Sequence, residues 1–522
     1  MKKTIILASV AIATLFAFSS CQKENLESNY SANGLRIVTA EFENNTTKTT
    51  LNSDGKTPEW EVGDVIRVLN GSAYQDVEII SGSGDTPESG KAYISGSGLI
   101  ISIPAAMTGT LYAVYPAFAT TLESCDGNVS FTIPAIQDGT FASANICVAK
   151  GDDKDNLTFR NATAVLKITT ADEVVGVDIT ATNNIAGPVT ASFSGNEINL
   201  TPSLTGKTVT VVGTTVPSDN VFYLATAPVS TGSTTAICYK TDKEGSTSKD
   251  DKDLRRNVIY SMDLSSITFD TDSDLTGKKG ILNDHEYVII KAKYDGTNDS
   301  YLKWATMNVG ATTVAGSYTT CYGDLYEWGS VETIYNERPW TSATAGDFTD
   351  KCKEGKTSGY SCTTYCGYSS FVEWNPAPYN TTTNILNSDN DAATQNWGTG
   401  WRMPTSAEFK ALYEACGGTD IYEPTTGGST STIAKGVYWC ASYDCVAGLL
   451  FITKDNGPHL FFPAAGSGID TSLIEAGSDG NYWSSTLSGS INAYCLYFYN
   501  IEVSLQNIGF RYSGRSVRPV SD

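Results

Sequence analysis

Apolar positions in the first half of the chain fall into short runs, β-branched or aromatic, broken by Gly, Asp, Asn or Pro. Arg36-Ile-Val-Thr-Ala-Glu-Phe42, Val62 to Leu69, Leu111 to Tyr115 and Val209 to Val212 show the pattern. Runs of this length with turn residues between them predict strands, and their spacing suggests all-β sandwiches. No helix is expected between residues 34 and 268. The polar break Asp152-Asp-Lys-Asp-Asn156 divides this region into two lobes, 34–152 and 153–268, each the size of a small domain. Residues 269–283 lie in a stretch rich in Asp, Ser, Thr and Gly and read as a linker. From 284 to 522 the texture changes to irregular, turn-rich strands with one clear helix, an α+β pattern with a small helical share. Thr405-Ser-Ala-Glu408 is a capping box, Phe409, Leu412 and Tyr413 then share a face, and Gly417-Gly418 ends the helix. Near the C-terminus Tyr494, Leu496 and Phe498 alternate with Cys495, Tyr497 and Tyr499. A strand aromatic on both faces is either buried twice over or presents a binding surface. Its setting among Ser, Asn and Gly favours the surface.

Composition narrows the class. The chain has 522 residues, 47 Gly, 28 Tyr and only 18% charged residues, which suits an exported β-rich protein with two or three cores. A net charge of −22 argues against nucleic acid as a partner. The two histidines, His285 and His459, are isolated and read as structural. Twelve cysteines are spread unevenly, and their disulfide connectivity is not legible in the sequence. Cys362-Thr-Thr-Tyr-Cys366 and the pair Cys440 and Cys445 are half-sites without supporting histidines, so no metal and no cofactor is expected.

The N-terminus points to a compartment. Met1-Lys2-Lys3 precedes an apolar stretch, Thr4 to Phe18, too short to span a bilayer, and Ser19-Ser20-Cys21 follows it. This junction resembles a bacterial lipobox. The resemblance implies lipidation of Cys21, a tether over residues 22–33, and outer-membrane lipid as a partner. The overall style resembles surface lipoproteins of the Bacteroidota, with an outward-facing location expected and a periplasmic one second.

The first half resembles the fimbrillin-like proteins of Bacteroidota. The resemblance rests on Trp60-Glu-Val-Gly-Asp-Val-Ile66, Tyr112-Ala-Val-Tyr-Pro116, Phe131-Thr-Ile-Pro134, Gln137-Asp138 and Leu157 to Ile168. Trp60 is expected to plug a core and Gly63-Asp64 to make a tight turn. The resemblance implies a class of pilus subunits, anchors and adhesins, so pilus subunits are a second kind of partner. Fimbrillin-style maturation would cut after Arg36, against the simpler reading of a surface arginine.

Residues 284–522 resemble the Fibrobacter succinogenes major paralogous domain, a version of the C-type lectin-like fold. The matching stretches are Trp304-Ala305, Asn308 to Ala311, Gly323 to Gly329, Trp397 to Thr405, Phe461 to Gly466, Tyr482 to Ser485 and Ser516 to Val520. The fold family includes formylglycine-generating oxidases, but Cys495 lacks their partner cysteine and a basic neighbour in sequence, so no catalytic residue is expected. Calcium-dependent sugar signatures are absent, and Asp284, Asp324, Asp389, Asp391 and Asp479 read as turn formers. The final segment also resembles the variable end of proteins diversified by retroelements. That resemblance implies a framework of Ala493, Leu496, Phe498, Val503, Arg511, Gly514 and Ser516 to Val520. It implies a ligand-binding face from Tyr494, Cys495, Tyr497, Tyr499, Glu502, Ser504, Ile508, Gly509, Phe510, Ser513 and Arg515, with Cys495 exposed. A fixed-sequence head of the same fold is the alternative. The expected function is a lipid-anchored surface adhesin or receptor, not an enzyme, binding a protein or glycan.

Overall fold

The computed structural model describes residues 34–43, 50–51, 58–82, 88–96, 98–152, 154–195, 197–213, 217–314, 316–333, 378–417, 423–425, 435–443, 446–454, 459–469, 472–489 and 491–522. Cys21, the leader, the tether, Cys352, Cys362, Cys366 and Cys445 lie outside these residues. The described residues are nearly all β, with 51% of them in strands and 8% in helix. Among the described residues no helix is long and apolar enough to cross a membrane.

The first lobe closes on itself instead of forming the expected open sandwich. Leu35–Phe42 pairs antiparallel with Gly98–Pro104 on one side and parallel with Asn156–Asn161 on the other, completing an eight-stranded barrel. Its interior is filled by Trp60, which stacks on Phe42 at 4.3 Å and meets Tyr115 and Phe159 edge-on. The turn beneath is built as the sequence implies. Gly63 takes φ +100°, and the Asp64 carboxylate accepts from the Glu61 N–H at 2.9 Å and the Tyr115 hydroxyl at 3.0 Å. Arg36 is buried, not a surface residue: it pairs with Asp155 and donates to the carbonyls of Met107 and Gly109.

The lobe boundary at 152/153 is also displaced. Two barrel strands, Cys147–Gly151 and Asn156–Asn161, pair antiparallel across this point, with Asp152 accepting from the Lys154 and Asn156 N–H groups. The chain enters the second lobe only after Asn161. It had already lent that lobe Val129–Ile133, which pairs with Gly187–Ser194. One turn of helix, Phe141–Ala144, capped by Thr140, sits where none was expected. The two lobes share a core, because the barrel strands are apolar on both faces. Ala113, Tyr115, Cys147 and Ala149 point into the barrel, while Tyr112, Val114 and Val148 join Ile133, Val177 and Leu224 of the second lobe.

The predicted linker is structured. Thr271–Asp272 pairs with Lys243–Lys249, and Lys279–Leu282 pairs with His285–Ala292. Between them Leu275 is fully buried in a cluster holding Val175, Val212 and Tyr239 of the second lobe and Tyr287, Ile289 and Trp401 of the C-terminal half. Lys278 reaches Asp178 at 3.0 Å and the Tyr239 hydroxyl at 2.8 Å, and Tyr287 donates to the Val212 carbonyl at 2.6 Å. A polar composition concealed one apolar anchor and one partnered lysine.

The C-terminal half folds back to its own beginning: Val520–Ser521 pairs with Ser300–Ala305, beside His285–Ala292. The helix Ser406–Ala415 has the full capping box, with Phe409 and Leu412 buried. The stretches that carried the family resemblance make the buried hydrogen bonds. The indole N–H groups of Trp328, Trp401 and Trp483 donate to the carbonyls of Ser484, Leu282 and Tyr326 at 2.8, 3.1 and 2.8 Å. Arg518 is wholly buried, donating to Asn308 Oδ1, the Ala305 carbonyl and the Phe461 carbonyl at 2.9, 2.9 and 2.8 Å, over the Phe462 ring. Burial lowers its pKa to about 10, so it stays charged. His285 stacks on Trp397 at 3.6 Å, and burial pushes it down to about 4.

Two outcomes follow for urea unfolding followed by tryptophan fluorescence, which reports this half because eight of the nine tryptophans lie beyond residue 300. Arg518→Met strands three buried acceptors and lowers stability by about 3 kcal/mol or more; an unchanged midpoint would contradict the network. Lowering pH from about 7 to about 5 destabilises this half, because unfolded histidine takes up the proton that folded His285 refuses. His285→Phe keeps a stacked ring and removes that part of the pH dependence.

Candidate ligand-binding face

The terminal hairpin pairs Asn492–Tyr499 with Glu502–Phe510, and its inner strand pairs with Gly480–Leu487. The alternation read from the sequence holds, but both faces are covered over part of their length. Ala493 and Cys495 enter one core with Trp483, while Leu496 and Phe498 enter another with Tyr482 and Phe409. Opposite partners share a face, so the ladder sorts the predicted residues.

On the Cys495 side, Tyr497 lies opposite Ser504 and Tyr499 opposite Glu502. The two rings are 5.8 Å apart and half-buried, Ser504 is half-buried, and Glu502 is exposed. On the other side, Tyr494 lies opposite Ile508, and Asn492 opposite Phe510. Ile508 and Phe510 are 52% and 47% exposed, and Phe510 stacks on Tyr512 at 5.2 Å. The single face inferred from the sequence is therefore two patches on opposite sides of one hairpin. An extra residue on the outer strand between Ser504 and Asn507 keeps its side chains in phase with the inner strand.

Four of the predicted contact residues lie beneath the surface. Cys495 is 1% exposed, and Gly509, Ser513 and Arg515 are buried. Arg515 explains this arrangement. Its guanidinium lies 4.8 Å from the Trp483 ring centre, donates to Asn481 Oδ1 at 2.6 Å and approaches Cys495 Sγ at 3.0 Å. A Cβ on Gly509 would stand 2.6 Å from its Nη2, so the outer strand passes over the guanidinium only because that residue has no side chain. Burial pushes the Cys495 thiol up, partly offset by Arg515. Cys495 is a packed thiol, and the expected exposed cysteine is corrected on that ground.

The structure adds residues that the sequence reading placed elsewhere. Asp479, read as a turn former, accepts from the Tyr497 hydroxyl at 2.6 Å and from the Ser478 hydroxyl at 2.6 Å. Burial first, then the Asp479 bond, pushes the Tyr497 hydroxyl up; the Tyr499 hydroxyl is raised by its 3.1 Å bond to Glu502. Glu475 is raised by burial and by Asp479. Asn481 lies directly opposite Tyr497 in the ladder. Only the strand register could have revealed Asp479 and Asn481, since they come from a different strand segment. Of the other aspartates, Asp391 caps the helix Ala392–Trp397 and accepts from the Met403 N–H at 2.8 Å. Among the described residues no group of three His, Cys, Asp or Glu converges as a metal site.

No family model matches this chain, and no curated protein does. Its structure is similar to a protein of Bacteroides ovatus provisionally assigned to cell adhesion, with 12% identity, TM-score 0.28, and coverage of 48% of this chain and 99% of that one. A fimbrial assembly protein of Parabacteroides distasonis aligns with 9% identity and TM-score 0.25, over 51% of this chain and 98% of its own. A fimbrial protein of Bacteroides ovatus aligns over 93% of this chain and 99% of its own, at 11% identity and TM-score 0.22. Scores this low carry no structural argument.

The two-patch geometry makes a discriminating prediction. Gly509→Ala forces Arg515 or the outer strand to move and costs about 1–3 kcal/mol, measured by urea unfolding. Phe510→Ser and Glu502→Gln, both at exposed positions, stay within about 0.5 kcal/mol of the parent. Equal effects at buried and exposed positions would refute the assignment.

Proposed function

We propose that this protein is a surface adhesin or receptor, anchored to the outer membrane through Cys21, whose C-terminal half binds a protein or glycan ligand. The observation that carries the reading is the Tyr497–Tyr499 patch. Two tyrosine rings stand side by side on a fixed strand, their hydroxyls oriented by Asp479 and Glu502, beside a buried Arg515 support. Tyrosine gives large contact area at low entropy cost, and rings already held by hydrogen bonds lose little freedom on binding. The two N-terminal lobes, sharing one core, act as the stalk. The adhesion and fimbrial assignments of the structures named above agree with this role, and none of the reading depends on them.

If the terminal segment is diversified, the ladder limits where variation is tolerated. Tyr497, Tyr499, Glu502, Ser504, Ile508 and Phe510 are open to exchange, while Cys495, Gly509, Ser513 and Arg515 are constrained by packing.

Adhesion is the test. Beads coated with the full chain bind a responsive cell or matrix surface, and the Tyr497→Ala/Tyr499→Ala double variant reduces retention by about tenfold while remaining folded by circular dichroism. Retention that survives the double variant would move the binding site elsewhere on the protein.

A further inference from the structure

Resting on that reading of the Tyr497–Tyr499 patch, we propose that its ligand is a basic protein segment, with a lysine or arginine side chain set over the two rings and between the carboxylates. Charge is the first argument. Between Lys454 and Arg511 the sequence has five acidic residues, Asp455, Asp470, Glu475, Asp479 and Glu502, and no lysine or arginine. Three of the five, Glu475, Asp479 and Glu502, belong to the patch or its immediate support. Arg515, the nearest cation, is buried under Gly509 against Asn481 and the Trp483 ring and acts in part on Glu475, so one cation faces three carboxylates and the patch keeps an excess of negative charge.

The aromatic geometry is the second argument. Each tyrosine hydroxyl donates to a carboxylate, which leaves both rings electron-rich and their faces suited to a cation. An anionic glycan would be repelled by this concentration of negative charge, whereas a cation gains from both the carboxylates and the ring faces.

A peptide fits better than a bare amine because of Asn481. This side chain is 3% exposed, stands opposite Tyr497, and uses its Oδ1 on Arg515. Its Nδ2 donor has no acceptor among the described residues. A buried donor without a partner is costly, and because it is closed off from the surface a ligand carbonyl satisfies it only once the side chains over it part on binding. A peptide brings a cation and carbonyl oxygens together, whereas a simple ammonium ion brings only the first.

The experiment pans random peptides displayed on phage against the immobilised full chain and, in parallel, against Tyr497→Ala/Tyr499→Ala. Both proteins are also applied to an array of neutral and acidic glycans. The expected result is a pool enriched in lysine and arginine that the double variant fails to retain. Peptides from that pool should bind about fivefold more weakly to Glu502→Gln, a change at the exposed first residue of the outer strand that leaves folding intact. Their affinity should also fall as salt rises. Face-dependent binders that lack basic residues, or face-dependent glycans, would overturn the ligand class while leaving the patch as the binding site. Binders indifferent to both variants would overturn the patch and the ligand class together.

Discussion

The C-terminal half depends on a single buried charge. Arg518 sits just before Val520–Ser521 pairs with Ser300–Ala305, and its three hydrogen bonds reach the Asn308 side chain, the Ala305 carbonyl and the Phe461 carbonyl. These acceptors come from two distant parts of the chain, Ala305 and Asn308 on one side and Phe461 on the other, so no short segment could supply the site alone. A guanidinium without partners at this depth would cost several kcal/mol. Asn308 in turn donates to the Tyr482 hydroxyl, which donates to the Pro463 carbonyl. The network therefore fixes Gly480–Leu487, the strand against which the terminal hairpin is built. The position of the tyrosine patch follows from the position of an arginine that never touches solvent.

Local signals were legible in the sequence to the extent that their chemistry is local. The capping box at Thr405 and Glu408 depends on groups three residues apart and appears as expected. Trp60 and the Gly63-Asp64 turn also behave as read. The barrel was not legible, because closure requires Leu35–Phe42 to find Asn156–Asn161, and strand alternation says nothing about which strand is next. The linker was misread for a different reason. Composition averages over a stretch, whereas Leu275 and Lys278 act singly, each with a partner far away in sequence.

The ligand face shows the same limit. Alternation correctly separated Tyr494 from Tyr497, but it could not show that each face of the hairpin is buried over a different part of its length. That outcome requires the two cores that meet at this sheet, one under Cys495 and one under Leu496. The role of Asn481 comes from the register between Gly480–Leu487 and its partner, and that of Asp479 from its place one residue before that strand, within reach of the Tyr497 hydroxyl. A turn-forming aspartate and one that orients a tyrosine are the same residue in sequence.

The terminal segment divides its work between adjacent positions. Arg515, Gly509 and Cys495 form a closed layer in which every added atom meets another, as the 2.6 Å approach at Gly509 shows. One layer outward, Tyr497, Tyr499 and Glu502 hold their geometry through hydrogen bonds within the group and to Asp479, and both rings stay half-exposed. The inner layer can be rigid because its cation is held by Asn481 and the Trp483 ring below the surface, where it offsets only part of the charge of the carboxylates around it. The outer layer can therefore keep a net negative character without forming an internal ion pair with the arginine beneath it. An exposed ion pair would have quenched that character for little gain in stability. Burying the arginine leaves the carboxylates to meet charge that arrives from outside.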